Sequence, residues 1–154
     1  MKSNAHKIGA VMYVLWGILH VMFGATMLYQ LTISGTAALA SVATAVPPAD
    51  LPQDLGGAAS GLIAQHAWNL LWFGLFGIYV GWKMNWKNSP TGYWLNLLVI
   101  SAADLGFIFA ILIPGYITIA DGIMGPALWL LAVVFSTVGY MGAKNEGPVP
   151  AMAA

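Results

Sequence analysis

Four polar residues interrupt otherwise apolar stretches of this chain: His20, His66, Asn69 and Asp104. Two imidazoles and a carboxylate can perform general acid/base chemistry, because histidine titrates near working pH and an aspartate can orient or charge it. The same trio is the composition of a two-His, one-carboxylate metal site. No His-x-x-x-His or Glu-x-x-His spacing, however, fixes two ligands on one helix. His20 and His66 could instead hold a b-type haem from two different helices, with Gly17 and Gly24 leaving room for a porphyrin face. Asp104 would have no task beside a propionate-bearing cofactor, and an offset of about 6 Å in ligand depth would require helix tilt. Neither haem b nor a single metal ion is favoured by the residues alone. In a third reading the cluster only fixes helix packing, in a helper or structural subunit of a membrane complex, since interhelical hydrogen bonds average about 0.6 kcal/mol yet set register.

Those side chains need apolar helices to position them. Of the 154 residues, 60% are hydrophobic and only 6% charged, against roughly 25% charged in a soluble domain. A chain this short cannot enclose so much apolar surface in a dry core, so lipid must cover the remainder. The sequence therefore predicts a single all-α integral membrane domain, an up-down-up-down bundle of four transmembrane helices. Four stretches, approximately 8–30, 62–82, 91–113 and 123–143, reach the roughly 20 residues needed to cross a bilayer. They are separated by Pro47-Pro48, Pro52 and Gly56-Gly57, by Lys83 to Pro90, and by Pro114-Gly115 through Asp121-Gly122. The first apolar stretch is too long for a signal-peptide core and reads as a retained helix.

All five lysines, Lys2, Lys7, Lys83, Lys87 and Lys144, fall on one side of that topology. By the positive-inside rule both termini are cytoplasmic, which predicts a multi-pass protein of a bacterial-type plasma membrane with a short tail at 144–154. The outer connection, 31–61, is long, and Thr36 to Val46 is a candidate surface helix or lid. No arginine and no basic cluster is present, so nucleic acid is excluded as a partner. The absence of cysteine removes disulfides, thiolate metal sites and a thiol nucleophile. No phosphate loop, Gly-x-Ser-x-Gly elbow or His-Glu-x-x-His stands in the sequence. The eight methionines are spread over every segment and read as packing rather than copper ligands.

Small residues should mark contact faces inside lipid. Ala10, Tyr13, Gly17, His20, Gly24 and Met27 recur three and four apart on the first helix, Gly74, Gly77 and Gly81 mark the second, and Gly125, Trp129, Ala132, Ser136 and Gly139 the fourth. Intrachain packing is the first expectation, with a homo-oligomer open. At a rise of about 1.5 Å per residue, His20 lies ~20 Å from Lys7, Asn69 ~21 Å and His66 ~26 Å from Lys83, and Asp104 ~21 Å from Pro90. Three helices thus bring polar groups to nearly one level in the outer half of the bilayer, where they should turn toward one another rather than lipid. The expectation is a pocket for a small apolar or lipid-like ligand. His20, His66 and Asp104 would act, Asn69 and Ser101 would bind, and Trp16, Trp68 and Trp129 are candidate walls.

Overall fold

A computed structural model describes residues 4–145; Lys2 and all but the first two residues of the tail at 144–154 lie outside the described residues. Those described are helical throughout, with no strand among them. Helix α1 spans Ala5–Ile33, α2 Gly35–Ala40, α3 Gly57–Lys83, α4 Pro90–Phe107, α5 Ile119–Gly122 and α6 Met124–Asn145. Helix α4 starts where the sequence signals it, with Pro90 in the first turn and Ser89 Oγ accepting from the Gly92 amide. It continues past Phe107 as a π turn over Ile108–Leu112, closed by the Ile113 amide donating to the Ile108 carbonyl at 2.8 Å.

Three helical stretches are long and apolar enough to cross a membrane: Ala5–Ile33, Pro90–Leu112 and Met124–Asn145. Helix α3 has comparable length but does not join that set, and its first half carries Ser60, Gln65, His66 and Asn69. The anticipated fourth span is thus the helix that donates two of the four polar residues to the site.

Helix α1 packs along α3 and α6, and α4 packs against the same two. Neighbours run in opposite directions: Gly81, Gly74 and Ala67 of α3 meet Ala10, Gly17 and Gly24 of α1 in that order. The α1–α3 contact is backbone on backbone. A Cβ added at Gly17 would sit 2.5 Å from the Gly74 carbonyl oxygen, and one at Gly74 2.6 Å from that of Gly17. The glycines expected on packing seams are therefore spent inside the chain. Tyr13, Trp16, Ile100 and Ala132 form a fully buried centre, with Phe73 and Phe76 of α3 against it. The outside is apolar: Met22, Leu62, Trp72, Leu98, Phe109 and Leu130 are exposed, which suits a hydrocarbon solvent.

One end of the molecule gathers the described lysines. Lys7 Nζ lies 5.7 Å from the Trp86 ring centroid, Lys83 and Lys87 flank the α3–α4 turn, and Lys144 closes α6. Asn88 turns that hairpin in the left-handed region, φ 53°, and donates from Nδ2 to the Gly139 carbonyl at 3.0 Å. Asparagine tolerates this conformation better than most side chains. The side-chain amides of Asn85 and Asn96 pair at 3.0 Å in a buried spot beside it.

At the opposite end, the connection between α1 and α3 is shorter than expected, 34–56, because both helices extend beyond the predicted ends. Its helix, α2, covers only Gly35–Ala40 rather than Thr36 to Val46, since the chain then turns to meet the α4–α6 connection. There the Ala45 amide donates to the Tyr116 carbonyl at 3.1 Å. Thr44 and Thr118 hydroxyls both donate to Asp121 Oδ2, at 2.8 and 2.7 Å.

Candidate functional site

His20 sits on the seam of α1 and is held twice by Trp16, one turn earlier. The rings stack at 3.6 Å between centroids, and His20 Nδ1 lies 2.8 Å from the Trp16 carbonyl oxygen. Trp16 is itself completely buried, so the imidazole rests on a wall that cannot swing. Asp104 comes from α4 and is 2% exposed. His20 and Asp104 meet across Gly125 of α6. A side chain begun at Gly125 would lie 3.4 Å from His20 Cε1 and 3.7 Å from Asp104 Oδ1. Glycine leaves that gap open.

Asp104 Oδ2 is buried without a hydrogen-bond partner among the described residues. The Trp16 indole N–H interacts with the carboxyl as a weak hydrogen-bond donor, short of the geometry that would satisfy Trp16 Nε1. Native interiors pair nearly all such groups, and the exceptions call for an explanation.

His20, His66 and Asp104 line a common cavity of about 150 Å³. Phe23, Met27, Phe107 and Pro126 make its apolar walls, and Ser41, Val42 and Asp121 close its outer end. Beside it runs a larger cleft of about 550 Å³ between α1, α3 and α4, lined by His20, His66 and Asn69 among apolar residues. Six residues border both spaces, His20 and His66 among them.

His66 lines the cavity with His20 and Asp104 but is the most open of the three. It is exposed at the border of the cleft, because the face that α3 buries runs through Ala67, Gly74, Gly77 and Gly81, and His66 stands to one side of it. Asn69 is half-buried in the cleft wall. Ser101 and Trp129 are joined to each other, the Trp129 indole donating to Ser101 Oγ at 2.9 Å, and neither lines cavity or cleft. Trp68 is 63% exposed and lines neither space. Trp16 serves as backing for His20 rather than as lining. Among the described residues no three His, Asp or Glu side chains are grouped to hold a metal ion.

Sequence reasoning passed over Phe23, Leu70 and Phe107 as lining residues. Each lies three or four positions after His20, His66 or Asp104 and so shares its helix face, a signal that was available. The cover from Ser41 and Val42 falls within the candidate lid at Thr36 to Val46.

No family model, curated protein or solved structure matches this chain. The functional reading therefore stands on the geometry alone.

Proposed function

We propose that the chain is a plasma-membrane protein of four transmembrane helices, with both termini cytoplasmic, that holds a small apolar or lipid-like ligand in the cavity at His20, His66 and Asp104. The observation that carries this reading is a buried carboxyl whose Oδ2 has no hydrogen-bond partner, facing a neighbouring imidazole across an unfilled gap in an apolar cavity. Pockets of this kind use a few polar groups among apolar walls to orient what they bind. Helix α3 supports the fourth span because it follows α1 antiparallel from Ala10 to Gly24 and so shares its depth. The lysines at one end support the orientation. His20 and Asp104 are groups that could move a proton, yet the arrangement commits the site to binding and to no particular reaction.

Native mass spectrometry of the protein released from lipid nanodiscs tests the reading. The wild-type chain is expected to retain a small adduct that Gly125→Leu loses, since the new side chain occupies the gap between His20 and Asp104. Equal adducts in both proteins, or none in either, would overturn it. Haem-supplemented protein is expected to give no Soret band; a band abolished by His20→Ala would replace the ligand reading with the haem one. Recovery of a stoichiometric protein partner, with no adduct, would favour the helper subunit.

A further inference from the structure

The two polar side chains that border the gap at Gly125 both offer acceptors there. A carbonyl oxygen only accepts, so in the bond to Trp16 it is His20 Nδ1 that carries the proton and Nε2 that keeps a lone pair. Nε2 and Asp104 Oδ1 lie 3.9 and 3.7 Å from the point where a side chain at Gly125 would begin. The polar end of the cavity thus presents an imidazole acceptor beside a carboxyl whose Oδ2 has no hydrogen-bond partner among the described residues. No cation among the described residues forms an ion pair with Asp104, and the lysines cluster at the other end of α3 and α6.

The cavity continues into the cleft through their shared border at His20, Met27, Leu70 and Phe107. The cleft's rim is formed by Leu62 of α3 and by Ala102, Gly106 and Ala110 along α4 and its π turn, all exposed. It opens on the apolar flank of the molecule rather than at either end. A molecule reaching it from that flank must be at least partly hydrocarbon.

We propose that the occupant is a single-chain amphiphile whose headgroup donates hydrogen bonds, a long-chain alcohol or a protonated alkylamine. The head lies between His20 Nε2 and Asp104, and the chain runs out sideways between α3 and α4. This rests on the apolar-ligand reading above and adds the chemistry of the head and the route of entry. A hydroxyl or ammonium donor satisfies the acceptors that the protein leaves unpaired, and an ammonium also offsets the carboxylate charge. A fatty acid does the reverse, setting carboxylate against carboxylate, and recognition that leaves buried acceptors unpaired discriminates strongly.

The test uses full-length protein in phosphatidylcholine nanodiscs and three photoreactive, clickable probes with the same alkyl chain, bearing a hydroxyl, an amine or a carboxyl head. Alcohol and amine are expected to label cavity and cleft peptides of α1, α3 and α4 about tenfold more than the acid, the effect of one charge-assisted hydrogen bond. Asp104→Asn should lower amine labelling by about the same factor. Gly106→Trp enters open space, since nothing lies within 4 Å of a Cβ there, and should reduce labelling by alcohol and amine alike. Equal labelling by the acid overturns the headgroup assignment while leaving an apolar-ligand site. Undiminished labelling in Gly106→Trp overturns the lateral route. If no probe labels the cavity, the apolar-ligand reading itself fails.

Discussion

Replacing Asp104 with leucine is expected to stabilise the protein, the opposite of what a structural carboxylate would show. The side chain is 2% exposed, and Oδ2 is buried with no partner. A buried polar group left unsatisfied costs about 1–3 kcal/mol, and more when charged. Leucine removes that cost, and its additional methyl groups have somewhere to go, because a cavity of about 150 Å³ adjoins the position. Without added ligand, the unfolding equilibrium should therefore shift toward the folded state by about 1–3 kcal/mol, roughly five- to 150-fold. The assay is reversible unfolding in mixed micelles, followed by tryptophan fluorescence, with Asp104→Asn as the near-isosteric companion. Were Asp104 instead a strut between helices, leucine would leave its partner stranded and destabilise by several kcal/mol, as breaking a buried pair does. A loss of stability in both variants would refute the argument and give the cluster a packing role.

Further outcomes follow from other parts of the fold. Gly17→Leu is expected to destabilise by about 1–3 kcal/mol, because its Cβ would meet the Gly74 carbonyl at 2.5 Å, whereas Gly106→Leu should be near neutral; the same unfolding assay reads both. The chain has no cysteine, so Asp54→Cys and Lys144→Cys each report one position: an impermeant maleimide should label the first in intact cells and the second only after permeabilisation. Hydrogen bonds from Thr118 first, then Thr44, hold the exposed Asp121 carboxyl below the usual aspartate range. With the folded-state value depressed, the contact's contribution is complete above the ordinary aspartate range and is lost as pH falls through the lowered value. The protection factor of the Ala45 amide, exchange corrected for its intrinsic pH dependence, should accordingly fall on acidification, and Thr44→Val should lower it at neutral pH.

The long helices were legible because Pro47-Pro48, Ser89-Pro90 and Pro114-Gly115 punctuate apolar runs of sufficient length. The α1 seam was legible too: Ala10, Tyr13, Gly17, Gly24 and Met27 are all buried, since in lipid small residues at helical spacing reveal close approach more reliably than hydrophobicity does. Trp16 was harder. Its depth suggested a wall of the pocket, and only the neighbours show it buried beneath His20. Depth along each helix placed His20, His66 and Asp104 near one level, and all three line the cavity; the exposure of His66 follows from the rotation of α3, about which depth says nothing. The cover was legible only as a candidate lid at Thr36 to Val46; what it docks on was not, because Thr44 and Asp121 lie 77 positions apart and an exposed threonine near an aspartate has no periodic signature.

The π turn at Ile108–Leu112 fits an extra residue into one loop of α4, and each residue of an α-helix advances the azimuth by about 100°. The two halves of this helix are consequently out of phase. The residues before the turn direct Asp104 toward α1 and α6, the turn itself presents Ala110 and Ile111 to the cleft, and the segment beyond carries Tyr116, whose carbonyl receives the Ala45 amide. Were the turn to relax into ordinary α geometry, everything beyond it would swing by that angle, shifting the rim of the cleft and the anchor of its roof in a single movement.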